Sequence, residues 1–134
     1  MAIITTQISR EYRDLDLNFT IHPIKKDINL HRGDVAIINS MKNLILTGHY
    51  ERPFQPDLGS NVRKMLFENM DIITAAALER EIEQVIKNYE PRVNLVGISV
   101  TPNFEENAFT VRLQFYTINR PEPVSITFQL ERLR

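Results

Sequence analysis

The pattern of apolar and polar residues along this chain changes period near residue 91. In the segment that ends there apolar residues recur at the helical spacing of about 3.6, and after it they alternate with polar residues at a period of about 2. Ala75, Leu78, Ile82, Val85, Ile86 and Tyr89 mark a long amphipathic helix starting at Asp71 or Thr74, with Glu83 and Lys87 as an i,i+4 pair in the favourable order. An earlier helix opens at Gly33-Asp34, where Asp34 is placed to cap free amides. It carries Val35, Ile38, Met41, Leu44 and Ile45 and ends at Thr47-Gly48. Ser60 or Asn61 caps a short helix with Val62, Met65, Leu66 and Phe67. Between these two helices, residues 51–59 hold two prolines and a glycine, and read as an ordered loop anchored by Phe54 and Leu58.

Strand signals stand at both ends of the chain. Leu15, Leu17, Phe19 and Ile21 alternate with Asp16, Asn18 and Thr20, predicting a strand with one buried face. Turns at His22-Pro23 and Lys25-Lys26-Asp27 lead to a short return through Ile28 and Leu30. After Pro91, Val93 to Thr101 reads as a strand with Gly97 as a candidate bulge, followed by a loop from Pro102 to Asn107. Phe109, Val111, Leu113 and Phe115 line one face of a second strand. Asn119 to Pro123 reads as a proline-bounded turn, and Val124, Ile126, Phe128 and Leu130 line a third strand. Helices first and a strand meander later predict an α+β fold, with amphipathic helices packed on a C-terminal antiparallel β meander. Residues 1–14 are polar and unpatterned and read as an N-terminal arm, leaving 15–134 as one domain with one core.

Two proline-framed charge pairs stand out. In Glu90-Pro91-Arg92 the proline pushes Glu90 out of the helical region, so the long helix ends there. In an extended segment Glu90 and Arg92 point to one side, as a carboxylate and a guanidinium held at an element junction. Glu51-Arg52-Pro53 repeats the motif in the loop. Each arginine either clamps its own loop or clamps an incoming chain, and the physics alone leaves both open. The last strand is a third feature. As the end of a meander it is an edge, yet it keeps eight alternating residues, Val124 to Glu131, with charge gathered only at the end. It is either covered by the strand around Leu15–Ile21 or open to β-augmentation by another chain.

Composition narrows the chemistry. The net charge is -1, and acidic and basic residues are interleaved, so neither nucleic acid nor a membrane surface is an expected partner. With no cysteine there is no disulfide or thiolate site. The first residues lack the basic and apolar regions of a signal peptide, so a chain made in the cytosol is expected. The four glycines are too scattered for a phosphate loop, and His22, His31 and His49 lack metal-ligand spacing, so neither cofactor nor metal is expected. Glu11, Asp14, Asp16, Glu51 and Asp57 lie outside the predicted helices and are the carboxylates a glycan hydrolase would draw on. With seventeen acids in the chain, chance pairs are unavoidable.

The ordered series Tyr12-x-Asp14-Leu15, Ile38-x-x-Met41-Lys42-Asn43-Leu44-Ile45-Leu46-Thr47, Glu51-Arg52-Pro53-Phe54-x-Pro56-Asp57-Leu58-Gly59-Ser60, Leu66-Phe67-Glu68 and Tyr89-Glu90-Pro91-Arg92 resembles the contractile-tail baseplate wedge family. That family includes sheath initiators of T-even-type phages and a baseplate subunit of type VI secretion systems. The resemblance covers about residues 12–130, and its most specific part is the R-P-F-x-P-x-x-G-S segment followed by E-P-R at a helix end. It implies a structural, non-enzymatic role in the tail baseplate of a virion assembled in the bacterial cytoplasm, in six copies. The implied partners are other wedge subunits, the tail sheath protein and the tail tube. Carried over by position, Glu90, Pro91 and Arg92 are wedge-contact residues, and Glu51 and Arg52 brace a nearby loop. By extension Val124, Ile126, Phe128 and Leu130 belong to the strand that templates the sheath. Family members have also been labelled lysozymes, so a tail-associated cell-wall glycan hydrolase is the alternative.

Overall fold

The computed structural model describes residues 12–16, 18–118 and 120–132. The fold is α+β, in two compact units that divide after Ile38. Most of the predicted N-terminal arm, residues 1–11, lies outside the described residues, as do Leu17 and Asn119.

In the first unit, β1 (Arg13–Leu15) pairs antiparallel with β2 (Leu30–Arg32) in a two-stranded sheet. The strand predicted over Leu15–Ile21 does not continue past Leu15 among the described residues. The chain turns after Asp16, Phe19 has a positive φ of 52°, and Ile21 meets Ile28 in an isolated bridge. The reason is local. The Asp16 carboxylate is buried and accepts from the Asn18 amide and the Thr20 hydroxyl, closing a turn instead of feeding a ladder. Phe19 and Ile21 remain exposed, so the alternation marks no buried face. The predicted turns do form, with His22 Nδ1 accepting from the amides of Ile24 and Lys25.

Helix α1 (Asp34–Leu46) follows Gly33, which sits at φ +59°. Its buried stripe is Ala36, Ile37, Met41, Leu44 and Ile45, whereas Val35 is exposed and Ile38 half-buried. At 100° per residue Val35 lies about 120° round the helix from Met41, outside the buried arc.

In the second unit, α2 (Val62–Met65) precedes α3 (Ile72–Tyr89). Asp71 caps α3 by accepting from the Thr74 amide at 2.6 Å, which holds its carboxyl below the usual range. Ala75, Leu78, Ile82, Val85 and Ile86 are buried as their spacing requires, and Lys87 reaches Glu83 at 2.6 Å. Helix α3 packs on β3 (Val93–Asn103), the first strand of a meander with β4 (Ala108–Thr117) and β5 (Arg120–Glu131). Gly97 lies at the predicted bulge, where the β3–β4 register shifts between Leu95 and Gly97. Phe109, Val111, Leu113 and Phe115 fill the core from the central strand. The turn before β5 is shorter than the prolines suggest. Thr117 already pairs with Arg120, and Pro121 and Pro123 sit within β5, which an edge strand tolerates because a missing N–H costs no ladder bond on its open side.

Candidate partner-contact sites

Three places gather the residues that the sequence singles out. The first is the end of α3. The Glu90 amide donates to the Ile86 carbonyl, closing the last turn of the helix, and the Glu90 carbonyl accepts from the Val93 amide at 3.3 Å. The Glu90–Val93 segment is therefore a turn, not the extended run expected, and this turn swings Arg92 back over Glu90. The contact is bidentate, with Arg92 Nε to Oε1 at 2.5 Å and Nη2 to Oε2 at 2.6 Å. Ser40 of α1 completes a triad, donating to Glu90 Oε2 at 2.9 Å and accepting from Arg92 Nη2 at 3.0 Å. Glu90 is only 3% exposed, while the Arg92 side chain is 27% exposed and Pro91 is exposed. Burial pushes the Glu90 carboxyl up, but the Arg92 guanidinium and the Ser40 hydroxyl outweigh it, so the net shift is downward. The pair thus ties α1, α3 and the entry to β3 together. Ser40 carried no sequence signal, because a serine fifty residues upstream is an ordinary helix-surface residue until the fold brings it in.

The second place is the loop between α1 and α2. Glu51 does not pair with Arg52, contrary to the reading of Glu51-Arg52-Pro53 as an ion pair. Its Oε2 accepts from the Gly48 amide at 2.7 Å, and its Oε1 lies 3.5 Å from Arg63 Nη1. A nearby backbone amide and a cation twelve residues on outcompete the adjacent side chain, which leaves Arg52 exposed with no ion pair among the described residues. The loop ends are fastened by the Ser60 amide on the Thr47 carbonyl at 2.8 Å and by Ser60 Oγ on the Ile45 carbonyl at 2.5 Å. Gly59, at φ +140°, lies so close that a Cβ would stand 2.8 Å from Gly48 backbone atoms.

The third place is β5. Its sheet has the order β3-β4-β5, so among the described residues no further strand pairs with the outer edge of β5. The ladder phase says which groups face outward. The Arg132 amide bonds the Asn107 carbonyl at 3.1 Å in the same register that pairs Ala108 with Glu131. In an antiparallel ladder such directly bonded pairs alternate. Leu130, Phe128, Ile126 and Val124 therefore bond to β4, while the amides and carbonyls of Ser125, Thr127, Gln129 and Glu131 point to the open edge. On the inner face Val124, Ile126 and Phe128 are half-buried, Leu130 is buried, and Lys42 Nζ lies 5.9 Å from the Phe128 ring centre.

The carboxylates considered for hydrolysis are dispersed. Asp14 accepts from the Leu15 amide, and Asp57 lies in the loop. Asp16 is held at a pKa of about 2 by the Thr20 hydroxyl and the Asn18 amide, against the opposing effect of burial, with His31 Nε2 3.3 Å away adding to the same direction. Glu11 lies outside the described residues. Among the described residues no cluster of three or more His, Cys, Asp or Glu could hold a metal ion.

A backbone with a fastened R-P-F loop, an E-P-R turn at a helix end and a trailing three-strand meander can be compared with known proteins. Residues 31–121 match the family model described as "Baseplate wedge protein gp25". This chain belongs to that family. It is 33% identical over 117 residues to the baseplate wedge protein gp25 of Enterobacteria phage T4, an alignment covering 87% of this chain and 88% of the phage protein. Among solved structures the wedge-family fold recurs in a protein of Geobacter sulfurreducens provisionally named a tail lysozyme. That match has a TM-score of 0.69 at 18% identity and covers 75% of this chain and 92% of the other. It recurs also in the six-fold symmetrised baseplate of the anti-feeding prophage, with a TM-score of 0.69 at 22% identity, covering 84% and 90%. These structural matches speak for the fold alone.

Proposed function

We propose that this wedge-family protein, a structural component of a contractile-tail baseplate, templates growth of the tail sheath by adding a strand of a sheath subunit to β5. The open edge of β5 carries the proposal. Ser125, Thr127, Gln129 and Glu131 offer amides and carbonyls without a strand partner among the described residues, and the half-buried Val124, Ile126 and Phe128 would be covered by an added strand. Each main-chain bond contributes a modest net amount, about 1 kcal/mol. Six copies in a ring would supply the rest by avidity. Pro91 and Arg92, held rigid by the buried Glu90, form the contact with other wedge subunits, and the fastened loop of Glu51 and Arg52 braces it. The side of the baseplate next to the tail tube is the expected location.

The titratable groups favour a structural role. A glycan hydrolase needs one carboxylic acid with its pKa raised so that it can donate a proton. The shifted carboxylates among the described residues, Asp16, Asp71 and Glu90, all move down, to the form that accepts hydrogen bonds.

The test is a proline at position 127. Thr127→Pro removes an edge-facing N–H and no bond to β4, so baseplates should assemble normally and remain without sheath. Full-length sheaths on such particles would rule out β5 as the template.

A further inference from the structure

The loop between α1 and α2 has a property that sheath templating does not use. Phe54 at its tip is 97% exposed, more than any other large apolar side chain among the described residues. A single exposed apolar residue is ordinary. An aromatic ring fully in water at the tip of a tightly bonded loop is not. The Tyr50 amide bonds the Pro56 carbonyl at 2.9 Å, the Gln55 amide bonds the Arg52 carbonyl at 3.3 Å, and Tyr89 Oη donates to the Asp57 carbonyl at 2.7 Å. None of these bonds involves the Phe54 ring, so the loop is ordered without it.

Tyr50 adds an independent observation. It holds φ at +67°, a conformation that is a true outlier for a bulky residue, yet its ring is 80% exposed and gains no core packing in return. Below the tip, His49, Tyr50, Pro56, Asp57, Asn61 and Lys64 line a cleft of about 370 Å³. The charges nearby are unequal in their occupation. Glu51 is engaged by Gly48 and Arg63, whereas Arg52 and Lys64 are exposed and have no ion pair among the described residues.

We infer that the tip of this loop is a preorganised docking element for a second protein chain, with Phe54 entering an apolar socket whose rim supplies carboxylates to Arg52 and Lys64. An aromatic anchor ringed by polar contacts is how binding energy concentrates at interfaces. A loop already fixed in shape avoids the ordering cost that a mobile one incurs on binding. A protein socket fits better than a lipid surface, because two rings, Tyr50 and Phe54, in a loop that also carries Glu51 and Asp57 lack the broad apolar and basic face that membrane adsorption requires. The inference takes from the proposed function only that the protein works inside a baseplate, and it uses neither β5 nor Arg92.

The experiment installs the photo-crosslinking residue p-benzoylphenylalanine at position 54 of the full chain within assembled tails, with a control at the exposed Phe104 of the β3–β4 turn. The expected result is one baseplate protein crosslinked from position 54 and not from 104, at residues bordering an apolar socket rimmed by Asp or Glu. With that protein purified, Phe54→Ala should weaken binding by at least about thirtyfold, Phe54→Leu should recover part of the loss, and Arg52→Glu should weaken it by about fivefold. The melting temperature of Phe54→Ala should equal that of the wild type, since the ring supports nothing inside. No crosslink, a crosslink to a second copy of this chain or to lipid, or a Phe54→Ala affinity within about threefold of wild type would overturn the inference. Thr127→Pro particles should crosslink from position 54 normally, so a failure of the sheath-templating reading registers separately.

Discussion

Removing the Arg92 guanidinium tests the triad at the end of α3 most directly. Arg92→Ala leaves the Glu90 carboxylate, 3% exposed, with the Ser40 hydroxyl and the backbone amide of residue 92 but no cation. Breaking a fully buried ion pair costs about 3–5 kcal/mol. Here the guanidinium is 27% exposed and water screens part of the interaction, so a loss of about 2–3 kcal/mol is the appropriate scale. For a chain of this size that lowers Tm by about 6–12 °C. Ser40→Ala removes one neutral partner and should cost about 1 kcal/mol. The pH dependence supplies a second handle. The folded-state pKa of Glu90 lies below its ordinary value of 4.5, so its contribution is fully present above that value and is lost as pH falls through the folded-state pKa. The gap in Tm between wild type and Arg92→Ala should therefore be constant near neutrality and narrow in acid, below pH 4.5. Thermal melts of the two proteins from pH 7 downward, with Glu90→Gln and the double variant to close a mutant cycle, provide the assay. A gap under about 3 °C at neutral pH, or one that stays constant into acid, would refute the reasoning.

Other variants probe the remaining elements. Gly59→Ala must fit a methyl group 2.8 Å from the Gly48 backbone at φ +140°, and should lower stability by about 2–4 kcal/mol in a denaturant titration. Leu78→Ala in the buried stripe of α3 should cost about 2–5 kcal/mol by the same measurement. Ile126→Pro deletes the bond that β5 makes to Leu113 and should lower Tm, whereas Thr127→Pro, one residue along, should lower it much less. Equal losses would mean that the ladder phase is assigned to the wrong residues.

How far the fold was legible depends on the range of the forces involved. The α3 stripe from Ala75 to Ile86 and the meander strands were readable because each buries one face along many residues, and periodicity records that directly. Leu15 to Ile21 shows the same alternation, but β1 ends at Leu15 and Ile21 makes only an isolated bridge to Ile28. Asp16 finds its partners at Asn18 and Thr20, and such a short-range cap is indistinguishable in sequence from a polar outward position. The site residues divide the same way. Glu90 and Arg92 meet because two residues and a proline determine their geometry. Glu51 prefers Gly48 and Arg63 to its neighbour Arg52, a choice set by the loop's closure, and Ser40 joins Glu90 only through tertiary packing.

The closure of the α1–α2 loop also bears on how such a protein can diversify. Its ends are joined by the Ser60 amide on Thr47 and the close approach of Gly59 to Gly48, and Glu51 and Asp57 add bonds to Arg63 and Tyr89, so the tip residues 52–55 contribute little to holding the helices. Loop-closure entropy grows only logarithmically, about 0.6 kcal/mol for each doubling of length. The tip can therefore change in length or exchange its aromatic residue while the helices and sheet stay as they are. Any docking specificity carried on such a tip can drift at almost no expense to the scaffold beneath it.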